Sequence, residues 1–325
     1  MTDELPKLIN AALARRRALL TGSPSPAVRL FHGGADGLDG LAIERFGAVL
    51  IVQIQEGPLE ERLEDIRRGV EALHTQVGTQ GVYLKRFLRD RSAVSESIDA
   101  AHREPMPWIG RAVDPEIEIE EGPLRFLIGP YDGFSVGLFL EHRDNRGRVA
   151  RLAAGRGVLN LFAYTCGFSV AALKGGATFA DSVDLSRRYL EWGKRNFQAN
   201  GLSATEGRFF CCDVREYFKR AQRQKKRYGM IVIDPPTFAK MRRPRRVFVL
   251  KDELEKLIEE AVKLLEPLGY VLLAVNDRQI GVPRMEKAMK EAHPHRRARI
   301  IERPTLPLDF RGDADYSKTL IAQYE

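Results

Sequence analysis

The stretch MIVIDPPTFAK, residues 230 to 240, runs an aliphatic segment straight into an acid, two prolines, a threonine and an aromatic. Asp234 supplies a carboxylate, Pro235 and Pro236 fix φ and remove backbone freedom, and Thr237 and Phe238 add a hydroxyl and a flat apolar ring. A rigid turn of this kind suits a reaction in which catalysis consists mainly of holding two reactants in line. Two more aspartates stand in comparable places: Asp184 closes FADSVD and Asp213 closes GRFFCCD. Any one of them is well explained as a helix cap. Three successive strand ends, next to the glycine-containing turn NLFAYTCGFS (160 to 169), make a nucleoside-binding cleft the better account.

The chemistry distributes roles among them. Asp184 lies about twenty residues beyond the first strand-to-helix turn, the place from which an acid accepts hydrogen bonds from two ribose hydroxyls. Gly167 would let the backbone approach a ligand where a Cβ would clash. A dinucleotide fold would instead show G-x-G-x-x-G, with backbone amides cradling a pyrophosphate. One glycine among several aromatics is poorly made for phosphate. The turn is better matched to an adenosine joined to an uncharged thioether-like chain, which means S-adenosylmethionine (SAM), and an NAD-dependent oxidoreductase is disfavoured.

These residues need elements to aim them. After about residue 130 the pattern alternates strand and helix, with strands over 157–164, 179–184, 207–213, 228–234 and 270–276. The expected fold is therefore α/β: a doubly wound, parallel, Rossmann-like sheet with helices on both faces and the ligand at the carboxyl ends of the strands. Upstream, hairpins turning at Phe46-Gly47 and at Glu121-Gly122, a helix over 58–74 and a strand over 81–87 make a smaller α/β domain. The expected divisions are 1–26, a helix and linker; 27–129, the small domain; and 130–325, the cofactor domain. Two further strands, RARIIE and SKTLIAQYE, close the chain around a proline-containing loop.

Composition narrows the class. At 325 residues, 44% hydrophobic and 30% charged, the chain is long enough for two packed cores. No run reaches the roughly 18 residues of a membrane span, and the start, MTDELPKLINAALARRR, reads poorly as a signal peptide, so a cytoplasmic protein is expected. Three cysteines, Cys166, Cys211 and Cys212, give neither a disulfide framework nor zinc-ligand spacing, and no metal is expected. The formal net charge of +8 is compatible with a polyanionic partner.

NLFAYTCGFS, VDLSRRYLEWGKRNFQANGL, CCD, VIDPPTF and LPLDF followed by SKTLI together resemble the class I SAM-dependent methyltransferases of large-subunit (23S) ribosomal RNA. ADGLDGLAIERFGAVLIVQ and FSVGLFLEHRDNR are similar to the same group, so the likeness covers nearly everything from about residue 28. The group has a cytosine-C5 branch and a guanine-N7 branch. The resemblance implies that Asn160, Phe162, Tyr164, Gly167 and Phe168 line the methionine side of SAM. Asp184 would hold the ribose, Asp213 the adenine amino group and Val214 the adenine ring, with Leu185 and Asp234 also at the cofactor. The segment from Asp234 to Phe238 would face the target base. Cytosine-C5 relatives often begin with an RNA-binding PUA domain, and some 25 residues precede the small domain here.

The branch turns on a thiol. Carbon 5 of cytosine is a poor nucleophile, and its methylation needs a thiolate to add at C6. In that branch the cysteine lies just after the fifth strand; here the residues are AVNDRQ (274 to 279). Guanine N7 carries a lone pair and no proton, so it attacks a methyl group directly. The N7 branch shows DPPTF and an asparagine turn without cysteine, which this sequence resembles. An exocyclic amine would equally need no thiol. Guanine N7 is the preferred target; the alternatives are a cytosine-C5 enzyme with a displaced cysteine and a noncatalytic RNA-binding or ribosome-assembly factor. Expected partners are 23S rRNA or a large-subunit precursor, with the protein a monomer or homodimer. Arg143 and Arg146 are candidate contacts to RNA phosphate or to the methionine carboxylate, and Lys240, Arg242, Arg243, Arg245 and Arg246 form a candidate phosphate clamp beside the base pocket. None of the six histidines is assigned to catalysis.

Overall fold

The aliphatic runs pair into two main sheets. The computed structural model describes residues 4–87, 102–203, 205–241 and 246–325, and its chain divides into two units. The first comprises Met1–Leu140 with Pro307–Asp313; the second comprises Glu141–Leu306 with Ala314–Glu325.

In the first unit, strands β1 (Ala27–His32), β2 (Leu41–Phe46), β3 (Val49–Gln55), β4 (Gly81–Phe87) and β5 (Ile109–Gly110) lie side by side in chain order. All pairs are antiparallel except β3 with β4, which are joined through helix α2 (Leu63–Val77) and so run parallel. That helix starts five residues later than its apolar spacing suggests, after a run of turns from Glu56 to Arg62, and stops at Gly78, whose φ of 64° is left-handed. Helix α1 (Glu4–Arg16) buries Leu5, Ile9, Ala12 and Leu13 in a core shared with Ile66, Val70 and Leu73 of α2. Strands β6 (Ile117–Glu121) and β7 (Leu124–Ile128) form a separate hairpin about the expected Gly122 turn.

The second unit holds a seven-stranded sheet. Its members are β8 (Gly157–Leu161), β9 (Phe179–Asp184), β10 (Gly207–Cys211), β11 (Tyr228–Ile233), β14 (Leu265–Val275), β15 (Ala298–Glu302) and β16 (Lys318–Tyr324), in the order β10-β9-β8-β11-β14-β16-β15. The order reverses between β8 and β11, which is where an open α/β sheet places its ligand. The expectation of a wholly parallel sheet needs one correction: β16 runs antiparallel to both neighbours. A short hairpin of β12 (Phe238–Met241) and β13 (Arg246–Val249) follows the DPP turn.

Helices α3 (Arg143–Leu152), α4 (Gly167–Lys174), α5 (Arg187–Ala199), α6 (Val214–Arg223), α7 (Leu250–Val262) and α8 (Val282–Glu291) complete the unit among the described residues. Their stripes follow the helical period: α5 buries Leu190, Gly193 and Phe197, and α7 buries Leu250, Leu254, Leu257, Ile258 and Ala261. Ser186 caps α5 by accepting from the amide of Tyr189, and Gly201, at φ 68°, follows its C-terminus. Leu159, Leu161, Ile231, Ile233, Leu273 and Val275 are fully buried, so the strand ends are set by a close-packed interior.

Candidate active site

The second unit carries the whole set of aspartates at its strand ends. Register places them in a row: Cys211 pairs with Asp184, Leu161 with Val183, and Ile233 with Leu161. The row from the end of β10 to the end of β11 therefore spans three inter-strand spacings, about 14 Å.

Strand β8 stops at Leu161, three residues earlier than its apolar run, because Phe162 takes a left-handed φ of 57°. Tyr164 and Cys166 are also left-handed, at 48° and 64°. Non-glycine residues adopt this region only where their surroundings hold them there, and such strain concentrates at ligand sites. Gly167 begins helix α4, so the unusual backbone freedom is borne by its three neighbours rather than by the glycine. The loop is held by Ala163 N donating to Val183 O at 2.9 Å and by Asn196 Nδ2 donating to Thr165 O at 2.9 Å. The rings of Tyr164 and Tyr189 meet edge to face at 4.5 Å.

Asp184 ties this loop to its own strand. Oδ2 accepts from Tyr164 N at 2.9 Å and Oδ1 from Ser186 N at 2.8 Å. Burial raises its carboxyl above the ordinary aspartate range even against those hydrogen bonds. Leu185, next in sequence, leaves 46% of its surface exposed. Asp213 caps α6 through Arg215 N and pairs with the Arg215 guanidinium, Nη2 to Oδ2 at 2.9 Å, while Arg215 reaches Glu253 at 2.7 Å. An adenine amino group at Asp213 would thus share a carboxylate that Arg215 already holds. Val214 is buried.

Asp234 ends β11 with 23% of its side chain exposed. Pro235 is buried, Pro236 and Thr237 are exposed, and Thr237 Oγ1 donates to Asn276 O at 2.9 Å, fastening the turn to the end of β14. Phe238 is 46% exposed, while Phe248 on the facing strand is buried against Phe162, ring to ring at 5.5 Å. His142, to which no role falls from the sequence, places Nε2 3.2 Å from Asp234 Oδ2 and packs its ring 5.4 Å from that of Phe168. It occupies the N-cap of α3 yet makes no capping bond, its side chain being turned to Asp234 instead. The signal lay in FLEHRDNR, where the arginines drew attention and the histidine did not.

Of the candidate RNA contacts, Arg143 is half-buried, and Arg146 is only 3% exposed, which suits a contact inside the unit rather than to a solvent-facing phosphate. Arg242, Arg243 and Arg245 lie outside the described residues; Lys240 and Arg246 sit on β12 and β13.

Comparison with known proteins follows this geometry. Residues 28–322 match the family model described as S-adenosylmethionine-dependent methyltransferase. The chain belongs to that family. It is 35% identical over 203 residues to ribosomal RNA large subunit methyltransferase K of Neisseria meningitidis serogroup B, covering 62% of this chain and 55% of that one. It is 32% identical over 274 residues to ribosomal RNA large subunit methyltransferase K/L of Vibrio cholerae, covering 84% of this chain and 36% of the relative. The chain thus spans about half, or less, of the length of these curated relatives. Among solved structures, SMU.776 in complex with SAH superposes with a TM-score of 0.87 at 26% identity, covering 99% of this chain and 81% of that one.

The residues of this family member fit the family's cofactor. Asn160 is 1% exposed; its Nδ2 donates to Ser169 Oγ at 2.9 Å, but its Oδ1 is buried with no hydrogen-bond partner in the protein. Such an acceptor is costly unless a ligand donor fills it, and the amino group of a methionine moiety is one. Asp184 accepts backbone amides from Tyr164, Ser186 and Leu185, and with about four acceptor sites on its two oxygens it keeps capacity for a ribose hydroxyl.

Two of the three thiols are held in the protonated form, which is unsuited to attack. Burial pushes the Cys166 thiol up to about 12, and burial together with Glu216 pushes that of Cys212 up to about 11. Cys211 is exposed at the end of β10, its Sγ 3.5 Å from Leu185 O. The end of β14 carries Asn276 and Asp277.

Proposed function

We propose that this protein methylates large-subunit ribosomal RNA, transferring the methyl group of SAM directly to a guanine ring nitrogen, N7. The observation that counts against the covalent cytosine-C5 route is the end of β14, where Thr237 is fastened to Asn276 and no cysteine stands. The choice of N7 over an exocyclic amine rests on the resemblance of the DPPTF and asparagine turns to the N7 branch. Support for the RNA class comes from the names of the Neisseria and Vibrio relatives.

SAM, when bound, supplies an electrophilic methyl group on a sulfonium. Asp184 would hold its ribose, Asn160 Oδ1 its amino group, and Leu185 and Val214 would flank the adenine near Asp213. Phe162, Tyr164, Gly167 and Phe168 would shape the methionine side. Pro235 and Pro236 hold the base-facing wall rigid, so that little freedom is lost when the target base arrives. The exposed Phe238 ring offers a face on which a flipped-out base can stack. Lys240, Arg242, Arg243, Arg245 and Arg246 would neutralise neighbouring phosphates, and Arg143 is a further candidate for such a contact.

The test is methyl transfer from labelled SAM to 23S and 16S rRNA followed by nucleoside identification. The expected product is 7-methylguanosine in 23S rRNA. Appearance of 5-methylcytidine would sink the choice of atom, and failure of calorimetry to detect SAM binding would favour a noncatalytic role.

A further inference from the structure

Asp234 is the acid of the DPP turn, and its contact with His142 comes from a segment 92 positions earlier in the chain. Only 5% of the His142 side chain is exposed. Behind the imidazole, Asn145 Nδ2 lies 3.2 Å from Nδ1 and 2.9 Å from Thr319 Oγ1, so β16 backs the histidine through one amide. Phe168 packs on the ring. We propose that His142 is a positioning residue for methyl transfer: by holding Oδ2 of Asp234 it fixes the carboxylate, which then meets the target base through its remaining lone pairs in one orientation. The proposal rests on the methyltransferase reading above and deepens it.

A carboxylate at a strand end otherwise turns in a broad, two-fold torsional well, and an anchored oxygen removes that freedom. The anchor survives a change of charge. With neutral imidazole, Nε2–H donates to Asp234 and Nδ1 accepts from Asn145. With imidazolium, both ring nitrogens donate, and a turned Asn145 amide accepts at Oδ1 from Nδ1–H and from the Thr319 hydroxyl. What titration alters is the net charge beside the base. The groups facing His142 are Asp234 at the end of β11 and Glu141 and Arg146 on its own segment. Burial is the largest single influence and disfavours the charged ring, but the charge and hydrogen bond of Asp234 together with the charge of Glu141 outweigh it, and the histidine is held above its ordinary range.

In transfer to guanine N7 the nitrogen lone pair bonds to the methyl carbon as the carbon–sulfur bond breaks. Positive charge passes to the base and no proton leaves. A carboxylate beside neutral imidazole stabilises that charge better than one already paired with imidazolium. Turnover should therefore rise with pH through the titration of His142.

The experiment compares wild type, His142→Gln and His142→Ala for methyl transfer to large-subunit rRNA across pH, with SAM affinity measured by calorimetry. Glutamine keeps a donor where Nε2 stood. SAM affinity should be unchanged in both, and kcat should fall about ten-fold or more in H142A, the scale of losing one charge-assisted hydrogen bond. H142Q should recover most of kcat and lose the rising pH limb. Wild-type turnover in H142A, or an H142Q as impaired as H142A with the limb intact, overturns the proposal. Histidine-labelled NMR of wild type and Asp234→Asn needs no substrate and does not depend on either His142 variant folding. The His142 midpoint should drop in D234N, and an unmoved midpoint overturns the pairing. If the wild type methylates no rRNA, the functional reading fails while the NMR result still decides the contact.

Discussion

Asp184 is pulled in opposite directions by its two surroundings. Burial favours the neutral carboxyl, while a ribose needs the carboxylate as acceptor. SAM affinity should accordingly weaken on acidification at a higher pH than the ordinary aspartate range near about 3.9 would set. Calorimetry between neutral and mildly acidic pH checks this. For stability the sign is the reverse: the folded carboxyl is raised above its unfolded value, so its contribution is present at low pH and lost as pH rises through the raised pKa. Asp184→Ala should lower SAM affinity by about 10- to 100-fold, the scale of one charge-assisted hydrogen bond; affinity equal to wild type would remove Asp184 from the site. Replacing Cys166, Cys211 and Cys212 together by alanine should leave most methyl transfer intact, since burial holds the Cys166 and Cys212 thiols protonated at neutral pH and the proposed direct transfer needs no thiol. Loss of turnover with SAM binding preserved would restore the covalent route. Asp184 and Asp234 were legible in the sequence because each ends an apolar run. His142 was not, because its meaning lies in a contact between segments that no local pattern encodes.

The helix that backs the cofactor turn approaches it closely. A Cβ on Gly193 of α5 would meet Cys166 Sγ at 2.5 Å and its Cβ at 3.0 Å, and Cys166 is fully buried. Gly193→Ala should therefore push on the left-handed turn at Tyr164 and Cys166 and cost about 1–3 kcal/mol by overpacking. Thermal unfolding reads the loss, and an unchanged midpoint would mean the loop yields freely. At this scale the strands were readable from their aliphatic runs, and α5 from Ser186, its apolar stripe and Gly201. The early stop of β8 was not, since left-handed backbone at three alternate positions, Phe162, Tyr164 and Cys166, is imposed by packing and not by residue type. The start of β14 was missed likewise: the apolar run suggests a strand from residue 270, but Leu265 already pairs with Tyr228 in the sheet.

The chain passes between its two units three times, at Leu140–Glu141, Leu306–Pro307 and Asp313–Ala314. The short visit of Pro307–Asp313 to the first unit is fixed by Asp309, fully buried, whose Oδ2 accepts from Arg29 N at 2.9 Å and whose backbone oxygen accepts from Arg16. Asp309→Ala would leave the Arg29 amide without that acceptor and should cost about 1–3 kcal/mol, read as a lower urea midpoint. A wild-type midpoint would show the Asp309 carboxylate to be dispensable for holding the segment. LPLDF was noticed as a motif, but its place in the first unit could not be read from residues so distant in the chain. The strand that follows this visit, β16, lies between β14 and β15 and is made after both. During synthesis, then, β14 waits with an open edge and β15 has no neighbour in the sheet, a state prone to pairing with other chains. A chain halted before Lys318 would therefore keep the β14 edge bare, and only the last strand to be made covers it.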